Sequence, residues 1–506
     1  MPTTWSTQQN RIFEWGVSES TSGIVQAVAG SGKTTTLIEL VKRMVAHNPT
    51  ISIAFMAYNK AIAVEIGNRL LGVNPSRVQS GTFHSFGLKA WKQVAPMAVL
   101  DGDKIRNLTK QLNIPFDYAV FAQKAVSLAK QWNLNETDVE AWHAMIDRFD
   151  LADSLTEKGE TVSATEINRR IEEAIQVSQA VLTASKKMRD VIDFDDMIYL
   201  PVVHRARVRQ FDVVMIDEAQ DTNPIRLQLA RMMLKPEGRM VAIGDDKQGI
   251  YGFSGADSDS MPNIAKMFDT VSLPLSVTYR CPKAVVTHAQ RWVTHITAAD
   301  DALDGSVMEM PEVMFDRLTA AELRASDVVL CRLTAPLVKL AFKLIRKKIA
   351  CHVEGRDIGE GLIALAKKWK IKTVTGLHSK LDAYREREIA KYLKKDDQSK
   401  IAMVEDKVDT LRVIMEELQG TDSVDMVVSS IRSIFGDVKA GEKSPSLTLS
   451  TVHRSKGREW DRVYLYGRNK YMPSRFAKQQ WQREQENNLI YVAVTRAKAE
   501  LIEVVL

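Results

Sequence analysis

The sequence predicts an α/β protein with parallel sheets, and two observations support this fold class. Short apolar runs rich in β-forming residues recur along the 506-residue chain, and helical patterns or turn residues lie between them. Continuous apolar runs of this length are typical of strands that are buried on both faces of a parallel sheet. The predicted strands are Ile24–Val28, Ile51–Met56, Phe211–Ile216, Met240–Ile243, Val328–Leu330, Leu447–Leu449 and Val463–Tyr466.

Two long stretches interrupt this alternation, residues 91–190 and residues 367–444. Both carry apolar residues at helical spacing and almost no strand signal, and the second is rich in charge. We therefore predict two α/β units, each divided by a helical insertion. The first unit would consist of residues 1–90 and 191–275, and the second of residues 276–366 and 445–506.

The composition excludes several classes of protein. Hydrophobic residues make up 45% of the chain, which excludes a disordered or collagen-like protein. Lysine and arginine number 69 against 63 acidic residues, and the net charge of +6 permits a nucleic-acid partner without requiring one. Three cysteines without CxxC spacing provide no disulfide framework. Because we find no signal-peptide pattern and no apolar run of about 18 residues, we expect an intracellular, cytoplasmic protein without a membrane segment.

The segment Ala27–Thr34, AVAGSGKT, has the spacing of a phosphate-binding loop between a strand and a helix. Gly30 and Gly32 would let backbone N–H groups curve around phosphate oxygens. Lys33 would place a positive charge at the β- and γ-phosphates, and the Thr34 hydroxyl would bind Mg²⁺. The segment therefore predicts a nucleoside triphosphate site.

Two carboxylates directly follow an apolar run in the segment VVMIDEAQD, residues 213–221. Acidic residues at the end of a strand can hold Mg²⁺ and polarise a water molecule. We assign Asp217 to the metal and Glu218 to the base that orients the attacking water. The two motifs together predict an NTPase, a class that includes kinases, switches, transporters and motors.

Further motifs follow in order along nearly the whole chain, from Gln9 to Lys498. They are TQQNRI, AYNKAIAVEI, GTFHSF, AIGDDKQGIYGFSGAD, TYRCP, LSTVHRSKGREWD and NNLIYVAVTRAK. With the phosphate loop they resemble the motifs of the UvrD/Rep/PcrA family of superfamily 1 DNA helicases. The resemblance implies two RecA-like motor domains, 1A and 2A, with the two helical insertions as subdomains 1B and 2B.

The resemblance also implies roles in the binding and hydrolysis of ATP with Mg²⁺. Gln248 would sense the γ-phosphate, and Arg280 and Arg496 would reach it from the second motor domain. Arginine suits this role because its planar guanidinium matches phosphate oxygens and offsets charge in the transition state. The family often has arginine where this chain has Thr35. The residues implied at the nucleotide are Gln9 at the adenine, Ala29, Gly30, Ser31, Gly32, Lys33, Thr34, Thr35, Tyr279 stacked on the adenine, and Glu459 at the ribose.

A path for single-stranded DNA is implied as well. Polar side chains along it can donate to phosphates, and aromatic rings can stack on bases. The alternative is that single members of the set are core or helix-start residues. The family commonly has WRGA where this chain has FSGA at residues 253–256, so one ring is smaller and one arginine is missing. The implied residues are Tyr58, Asn59, Lys60, Thr82, His84, Tyr251, Phe253, Thr451 and His453.

Two charged segments are assigned no role in hydrolysis. The segment Asp193–Leu200, DFDDMIYL, resembles the family stretch that precedes the second carboxylate motif, and we assign its acids no catalytic role. The basic residues of the second insertion either bind duplex phosphates or form a solvated helix face, since acidic residues are interleaved with them. Trp132, Trp142 and Trp369 are interpreted as core residues.

The predicted function is ATP-dependent movement along single-stranded DNA, with unwinding at junctions between single and double strands. ATP would bridge the two motor domains, and its hydrolysis would release them. Each cycle would then move the DNA contacts of one domain along the strand relative to those of the other. The family resemblance implies 3′-to-5′ polarity. Two alternatives stay open: a DNA-stimulated ATPase that strips proteins with little unwinding, and a P-loop switch that binds partners without moving. We expect a monomer or weak oligomer.

Overall fold

The computed structural model describes residues 5–57, 59–149, 151, 155, 163–250, 257, 259–393, 398–418, 420, 422–436, 446–477 and 479–506. The chain forms two compact units, Met1–Ser276 and Val277–Leu506. Each unit is built on one large parallel sheet with helices, which confirms the predicted α/β class. Within the described part of the chain, no helix combines the length and hydropathy that a bilayer-spanning segment requires.

The first unit contains eight described strands, and six of them form one parallel sheet. Its strands are β1 (Gly23–Ala27), β2 (Ile53–Ala57), β3 (Val78–Thr82), β4 (Val99–Leu100), β5 (Val191–Ile192), β6 (Phe211–Ile216), β7 (Leu234–Gly244) and β8 (Val271–Leu275). The sheet order is β3-β2-β6-β7-β1-β8, and β4 pairs separately with β5. The four predicted strands of this unit are present. The sequence missed β3 and β8, because they are edge strands with polar residues or a proline in place of a continuous apolar run.

Several helices of the first unit start at side-chain caps. The described α-helices of this unit are α1 (Thr7–Ser18), α2 (Lys33–His47), α3 (Lys60–Arg69), α4 (Phe83–Val94), α5 (Lys104–Gln111), α6 (Phe116–Trp132), α7 (Val139–Arg148), α8 (Ala164–Lys187), α9 (Asp196–Val203), α10 (Pro224–Met232) and α11 (Ser260–Phe268). Asn59 caps α3, Thr82 caps α4, and Asn223 caps α10 with proline at its first position. These three caps fix where the helices leave the sheet.

Helices α5 to α8 of the first insertion share a hydrophobic core with one face of the sheet. The fully buried Trp142 belongs to the same cluster as Met56 of β2 and Val214 of β6. Trp132 packs against this cluster, in agreement with its interpretation as a core residue. The insertion is therefore fixed to the sheet by apolar burial.

A buried group of four charges strengthens this attachment. Lys104 of α5 lies 2.6 Å from the Asp196 carboxylate, and Lys130 of α6 lies 2.6 Å from Asp193 and 2.7 Å from Asp196. Removing one partner of such a buried pair typically costs about 3–5 kcal/mol, because the remaining charge is left uncompensated. Two acids of the DFDDMIYL segment thus hold the insertion in place.

The second unit contains nine described strands, and seven of them form one parallel sheet. Its strands are β9 (Val277–Thr278), β10 (Thr297–Ala298), β11 (Ser306–Pro311), β12 (Val328–Cys331), β13 (Cys351–Glu354), β14 (Phe435–Gly436), β15 (Leu447–Thr451), β16 (Trp460–Tyr466) and β17 (Ala497–Val505). The sheet order is β11-β17-β16-β12-β15-β13-β14, and β9 pairs with β10. The three predicted strands of this unit are β12, β15 and β16. They are consecutive in the order β16-β12-β15 at the buried centre of the sheet.

The helices of the second unit include those of the second insertion, α16 to α18. The full set is α12 (Lys283–Ala289), α13 (Glu312–Phe315), α14 (Thr334–Arg346), α15 (Arg356–Lys367), α16 (Val374–Leu393), α17 (Gln398–Glu417), α18 (Val424–Ile434), α19 (Val452–Ser455), α20 (Arg468–Tyr471) and α21 (Gln480–Val494). Leu377 of α16 and Leu411 of α17 lie in one buried cluster with Leu449 of β15. The second insertion therefore also packs into the core of its sheet.

Candidate nucleotide and nucleic-acid sites

Three neighbouring strands of the first sheet end at the same edge, and predicted site residues follow each of them. β1, β6 and β7 are parallel neighbours, so their carboxyl ends meet. β1 leads to Lys33, β6 to Asp217 and Glu218, and β7 to Asp245 and Gln248. The sheet topology thus brings together segments that are far apart in the sequence.

The loop between β1 and α2 has the backbone of a phosphate cradle. Gly30 and Gly32 adopt positive φ angles of 73° and 79°, which a side chain would strain. The buried Ser31 hydroxyl donates to the Val28 carbonyl at 2.9 Å and holds the curve of the loop. Because α2 begins at Lys33, its first N–H groups and the positive end of its dipole face this loop. The arrangement suits a chain of phosphates.

Thr34 and Asp217 form the oxygen-rich part of the site. The Thr34 hydroxyl donates to the Asp217 carboxylate at 2.7 Å. Asp217 is buried, and burial together with the neighbouring Glu218 raises the pKa of its carboxyl above the usual range. A hydroxyl and a carboxylate oxygen are hard donors of the kind that Mg²⁺ prefers, so this pair fits the predicted metal.

Glu218 is held in an uncommon backbone conformation beside Lys33. Its φ angle is 51°, a left-handed conformation that costs a non-glycine residue about 1–3 kcal/mol. Lys33 Nζ lies 3.8 Å from the Glu218 carboxylate, and the Gln220 side chain donates to the same carboxylate. The predicted base and the predicted phosphate-binding lysine are therefore neighbours.

Sequence reasoning missed two members of this site, Asp245 and Gln220. The Gln248 amide donates to the Asp245 carboxylate at 2.7 Å, and the Asp245 N–H donates to the Gln220 side chain at 3.0 Å. Burial raises the pKa of Asp245 to about 6, although the positive charge of Lys33 opposes this shift. The position of Asp245 directly after a buried strand was the available signal. Asp245 and Gln220 tie the loop after β7 to the loop after β6.

Gln9, the residue expected at the adenine, is buried within the first unit. Its amide donates to the Thr36 hydroxyl at 3.1 Å and its carbonyl accepts from the Ser6 N–H at 3.0 Å. The second bond belongs to the cap of α1. Since Thr36 lies in the first turn of α2, Gln9 stands beside the phosphate loop.

Thr35 also has a partner that the sequence did not indicate. The Arg69 guanidinium of α3 donates to the Thr35 hydroxyl at 3.0 Å. A guanidinium from a different helix therefore lies next to residue 35, the position at which the family that this chain resembles often has an arginine.

The predicted DNA contacts of the first unit cluster at the carboxyl ends of β2 and β3. Asn59 accepts from the Ile62 N–H at 2.9 Å, Thr82 accepts from the Ser85 N–H at 3.2 Å, and Lys60 is exposed at the start of α3. Two helix N-termini at one sheet edge offer N–H donors and a favourable dipole to phosphates. Tyr58, Tyr251 and Phe253 lie outside the described residues.

His84 follows directly in the first turn of α4. Burial is the larger cause, and the positive charge of Arg226 the smaller, of a pKa lowered to about 4. The imidazole is therefore neutral near pH 7, and it can offer an N–H donor without a formal charge.

In the second unit, Arg280 and Glu459 contact each other. The Arg280 guanidinium donates to the Glu459 carboxylate at 2.6 Å and to the Thr495 carbonyl at 3.4 Å. The neighbouring Tyr279 ring is 49% exposed, so it is available for stacking. The residues expected at the γ-phosphate, the adenine and the ribose are thus brought together within this unit.

Arg496 is buried in the second unit. Its guanidinium donates to the carbonyls of Val492 at 2.8 Å and Arg458 at 3.0 Å, and to the Thr495 hydroxyl at 3.2 Å. Thr495 also receives a contact from Arg280, so the two predicted arginine fingers share a neighbouring residue.

Thr451 and His453 lie where β15 ends and α19 begins. Thr451 is the last residue of β15, and its partner in the sheet is Cys331 of β12. Burial and the nearby charge of Arg332 lower the pKa of His453 to about 3, so this imidazole is also neutral near pH 7. The predicted contact residues of the second unit therefore occupy a strand end, as they do in the first.

Comparison with known proteins finds relatives over all or part of the chain. DNA helicase II of Rickettsia typhi is 24% identical over 54% of this chain and 42% of its own length. The F-box DNA helicase protein 1 of Schizosaccharomyces pombe is 24% identical over 98% of this chain and 57% of its own length. ATP-dependent DNA helicase Rep of Buchnera aphidicola is 25% identical over 46% of this chain and 35% of its own length. The chain thus spans less than two thirds of each of these relatives.

Two family models match the chain in sequence order. The UvrD/REP helicase N-terminal domain matches residues 5–269, and the UvrD-like helicase C-terminal domain matches residues 277–505. The boundary between them falls where the two compact units of the fold meet in the sequence. The chain therefore belongs to the UvrD/Rep helicase family, as the motifs predicted.

Proposed function

We propose that this chain is an ATP-driven motor that moves along single-stranded DNA and unwinds duplex DNA. The observation that carries the proposal is the convergence of Lys33, Thr34, Asp217 and Glu218 at the sheet edge where α3 and α4 also begin. Residues suited to bind a nucleotide and N–H donors suited to a nucleic-acid backbone thus lie along the same edge of the first sheet. Movement coupled to hydrolysis needs both.

Thr34 and Asp217 would hold Mg²⁺ through their oxygens. The hydroxyl now donates to the carboxylate, and the same two oxygens would turn to the ion. When bound, the ion neutralises charge on the β- and γ-phosphates.

Lys33 and Glu218 would divide the work of hydrolysis. The Lys33 ammonium lies 3.8 Å from the Glu218 carboxylate. A γ-phosphate would attract Lys33 and leave Glu218 to accept a proton from the attacking water. Gln248, oriented by Asp245, would sense the same phosphate.

Residues of the second unit would complete the nucleotide contacts. Arg280 and Arg496 would offset charge that develops on the γ-phosphate during hydrolysis. Tyr279 would stack on the adenine that Gln9 recognises, and Glu459 would bind the ribose. The exposed ring of Tyr279 and the pairing of Arg280 with Glu459 support these assignments.

The nucleic-acid path would run over strand ends of both sheets. Helix starts at Asn59, Lys60, Thr82 and His84 would bind backbone phosphates, and Thr451 and His453 would do so on the second unit. Such contacts tolerate any sequence, as a motor requires. We further propose 3′-to-5′ polarity and junctions of single and double strands as the substrate, on the basis of the family.

A second candidate is a translocase that strips proteins from DNA and unwinds poorly. The observation that favours it is the packing of α16 and α17 into the core of the second sheet. In addition, the Asp406 carboxylate of α17 accepts from the N–H groups of Thr334 and Ala335, each at 2.8 Å, at the start of α14. An insertion held in this way has little freedom to engage a duplex.

The two candidates are separated by a pair of assays with the same enzyme. One measures displacement of streptavidin from biotinylated single strands, and the other measures strand separation of duplexes with a 3′ or a 5′ tail. The proposed helicase releases streptavidin and unwinds the 3′-tailed duplex alone, and Lys33→Ala does neither. Release of streptavidin without strand separation supports the second candidate, and unwinding of the 5′-tailed duplex contradicts the polarity.

A further inference from the structure

A polar cavity of about 120 Å³ lies in the first unit, between the candidate nucleic-acid contacts and the helix that follows the acidic pair. Its walls come from four helices and from the residues that directly precede two of them. The lining residues are His84 of α4, Gln131 of α6, Asp195 and Ile198 at the start of α9, and Asn223, Ile225 and Arg226 at the start of α10. The cavity adjoins both functions without belonging to the hydrolytic site.

Arg226 contacts both the turn that follows the acidic pair and the start of α4. One guanidinium nitrogen donates to the Asp221 carbonyl at 3.1 Å, on the side of the acidic pair. On the other side, the guanidinium carbon lies 5.9 Å from the centre of the Phe83 ring. Arg226 and His84 line the same cavity, and the Arg226 charge adds to burial in lowering the pKa of His84.

Asp221 is the far end of a short turn that starts at Glu218. The 3-10 turn Ala219–Asp221 follows Glu218 directly, and the Asp221 N–H donates to the Glu218 carbonyl at 3.0 Å. Glu218 itself has the left-handed φ angle of 51°. Since that conformation persists only where its surroundings impose it, a bond at Asp221 helps to set where the Glu218 carboxylate lies.

Three other polar walls of the cavity, Asp195, Gln131 and Asn223, have hydrogen-bond partners within the unit. Asp195 accepts from the Ser127 hydroxyl at 2.5 Å, and the Gln131 amide donates to the same hydroxyl at 3.2 Å. The Asn223 side chain accepts from the Arg226 N–H as the cap of α10. Arg226 lines the same cavity and is the side chain that contacts both the turn after Glu218 and the Phe83 ring.

We propose that Arg226 is a positioning residue that links occupancy of the strand site at His84 to the position of Glu218. This inference rests on the proposed function, because it needs a nucleic-acid phosphate at the start of α4. Such a phosphate attracts the guanidinium away from the Asp221 carbonyl. The turn then shifts and moves the Glu218 carboxylate toward the attacking water. The coupling is reciprocal, so ATP bound at Lys33 changes the affinity at His84.

Arg226→Gln tests this proposal, with Arg231→Gln as the matched control on the exposed end of the same helix. Three quantities are measured on the full chain: ATP hydrolysis without DNA, hydrolysis with saturating oligo(dT), and the affinity for fluorescent oligo(dT). Because Arg226→Gln lacks the bond to the Asp221 carbonyl, we expect its rate without DNA to rise about tenfold. The stimulation by DNA should fall by the same factor, with the affinity for oligo(dT) within about twofold of the parent chain. Arg231→Gln should match the parent chain in all three.

Three outcomes overturn the inference. In the first, Arg226→Gln keeps full stimulation by DNA. In the second, its affinity for oligo(dT) falls as far as its stimulation, which indicates a direct DNA contact. In the third, both hydrolysis rates fall together with the melting temperature, which indicates a purely structural role. If Arg226→Gln does not fold, Arg226→Lys retains the charge and should lose part of the stimulation, because it cannot reach both Asp221 and Phe83.

The failure of the proposed function has a different signature. A parent chain that oligo(dT) does not stimulate contradicts the motor itself, and the inference falls with it. A stimulated parent chain with an equally stimulated Arg226→Gln variant leaves the motor standing and removes only the role of Arg226.

Discussion

The Thr34 hydroxyl donates to the Asp217 carboxylate at 2.7 Å, although 183 positions separate the two residues in the chain. The bond joins the first turn of α2 to the end of β6, and so it joins the two halves of the proposed metal site. The two oxygen groups of the proposed site therefore lie within hydrogen-bond distance of each other.

Thr34→Ala should therefore raise the Mg²⁺ requirement of ATP hydrolysis. Loss of one oxygen ligand should increase the Mg²⁺ concentration for half-maximal rate by about tenfold or more. A magnesium titration of the hydrolysis rate measures this shift. Thr34→Ser retains the hydroxyl and is the control, and an unchanged titration for Thr34→Ala would show that Thr34 does not bind the ion.

Lys33→Ala and Glu218→Gln should abolish hydrolysis while binding of single-stranded DNA survives. Lys33→Ala removes the charge at the phosphates, and Glu218→Gln removes the base, which typically contributes about 10²–10⁴ in rate. Steady-state ATPase assays and binding of fluorescent oligo(dT) measure the two properties. A Glu218→Gln chain that hydrolyses ATP at the parental rate would refute its assignment as the base.

Arg280→Ala should lower the catalytic rate far more than it weakens ATP binding. An arginine that offsets transition-state charge contributes about 10³–10⁵ in rate in related phosphoryl transfers. Hydrolysis at saturating ATP and binding of a fluorescent ATP analogue separate the two effects. The control is Arg291→Ala, an exposed arginine of the same unit. Equal losses of rate and binding would show that Arg280 contributes to the binding of ATP and not specifically to the transition state.

His453 should make the chain less stable as the pH falls. Its pKa in the folded chain is about 3, so the folded state keeps it neutral while the unfolded chain takes up a proton near pH 6.5. Above pH 6.5 the neutral His453 does not reduce the free energy of unfolding. Between pH 6.5 and about pH 5, proton uptake by the unfolded chain lowers the free energy of unfolding by about 2 kcal/mol. Melting temperatures across this range check the effect. His453→Gln should melt with a weaker pH dependence than the parent chain, and the exposed His47→Gln should not.

The sequence was sufficient for the centre of each sheet, and it named residues that the first sheet brings together at one edge. β6 was predicted with its observed bounds, because a strand buried on both faces carries an unbroken apolar run. Lys33, Thr34, Asp217 and Glu218 were named because their chemistry requires fixed residue types at fixed spacing. Edge strands such as β3 and β11 were missed, because exposure on one side removes the apolar signal.

Contacts between distant side chains were beyond the reach of the sequence. Asp245 and Gln220 meet because β6 and β7 are neighbours, and Arg69 meets Thr35 because α3 passes α2. The Lys130 pairs with Asp193 and Asp196 likewise depend on how α6 docks on the sheet. None of these pairs follows a local period or motif, so each required the tertiary structure.

The most direct test of the motor is the rate of ATP hydrolysis with single-stranded DNA, duplex DNA, RNA and no nucleic acid, at one stated salt concentration. The proposed function predicts that single-stranded DNA raises the rate about tenfold or more, and that this stimulation weakens with salt as phosphate contacts do. Duplex DNA without a tail should stimulate less. Hydrolysis that proceeds at the same rate under all four conditions would contradict a motor that moves on DNA.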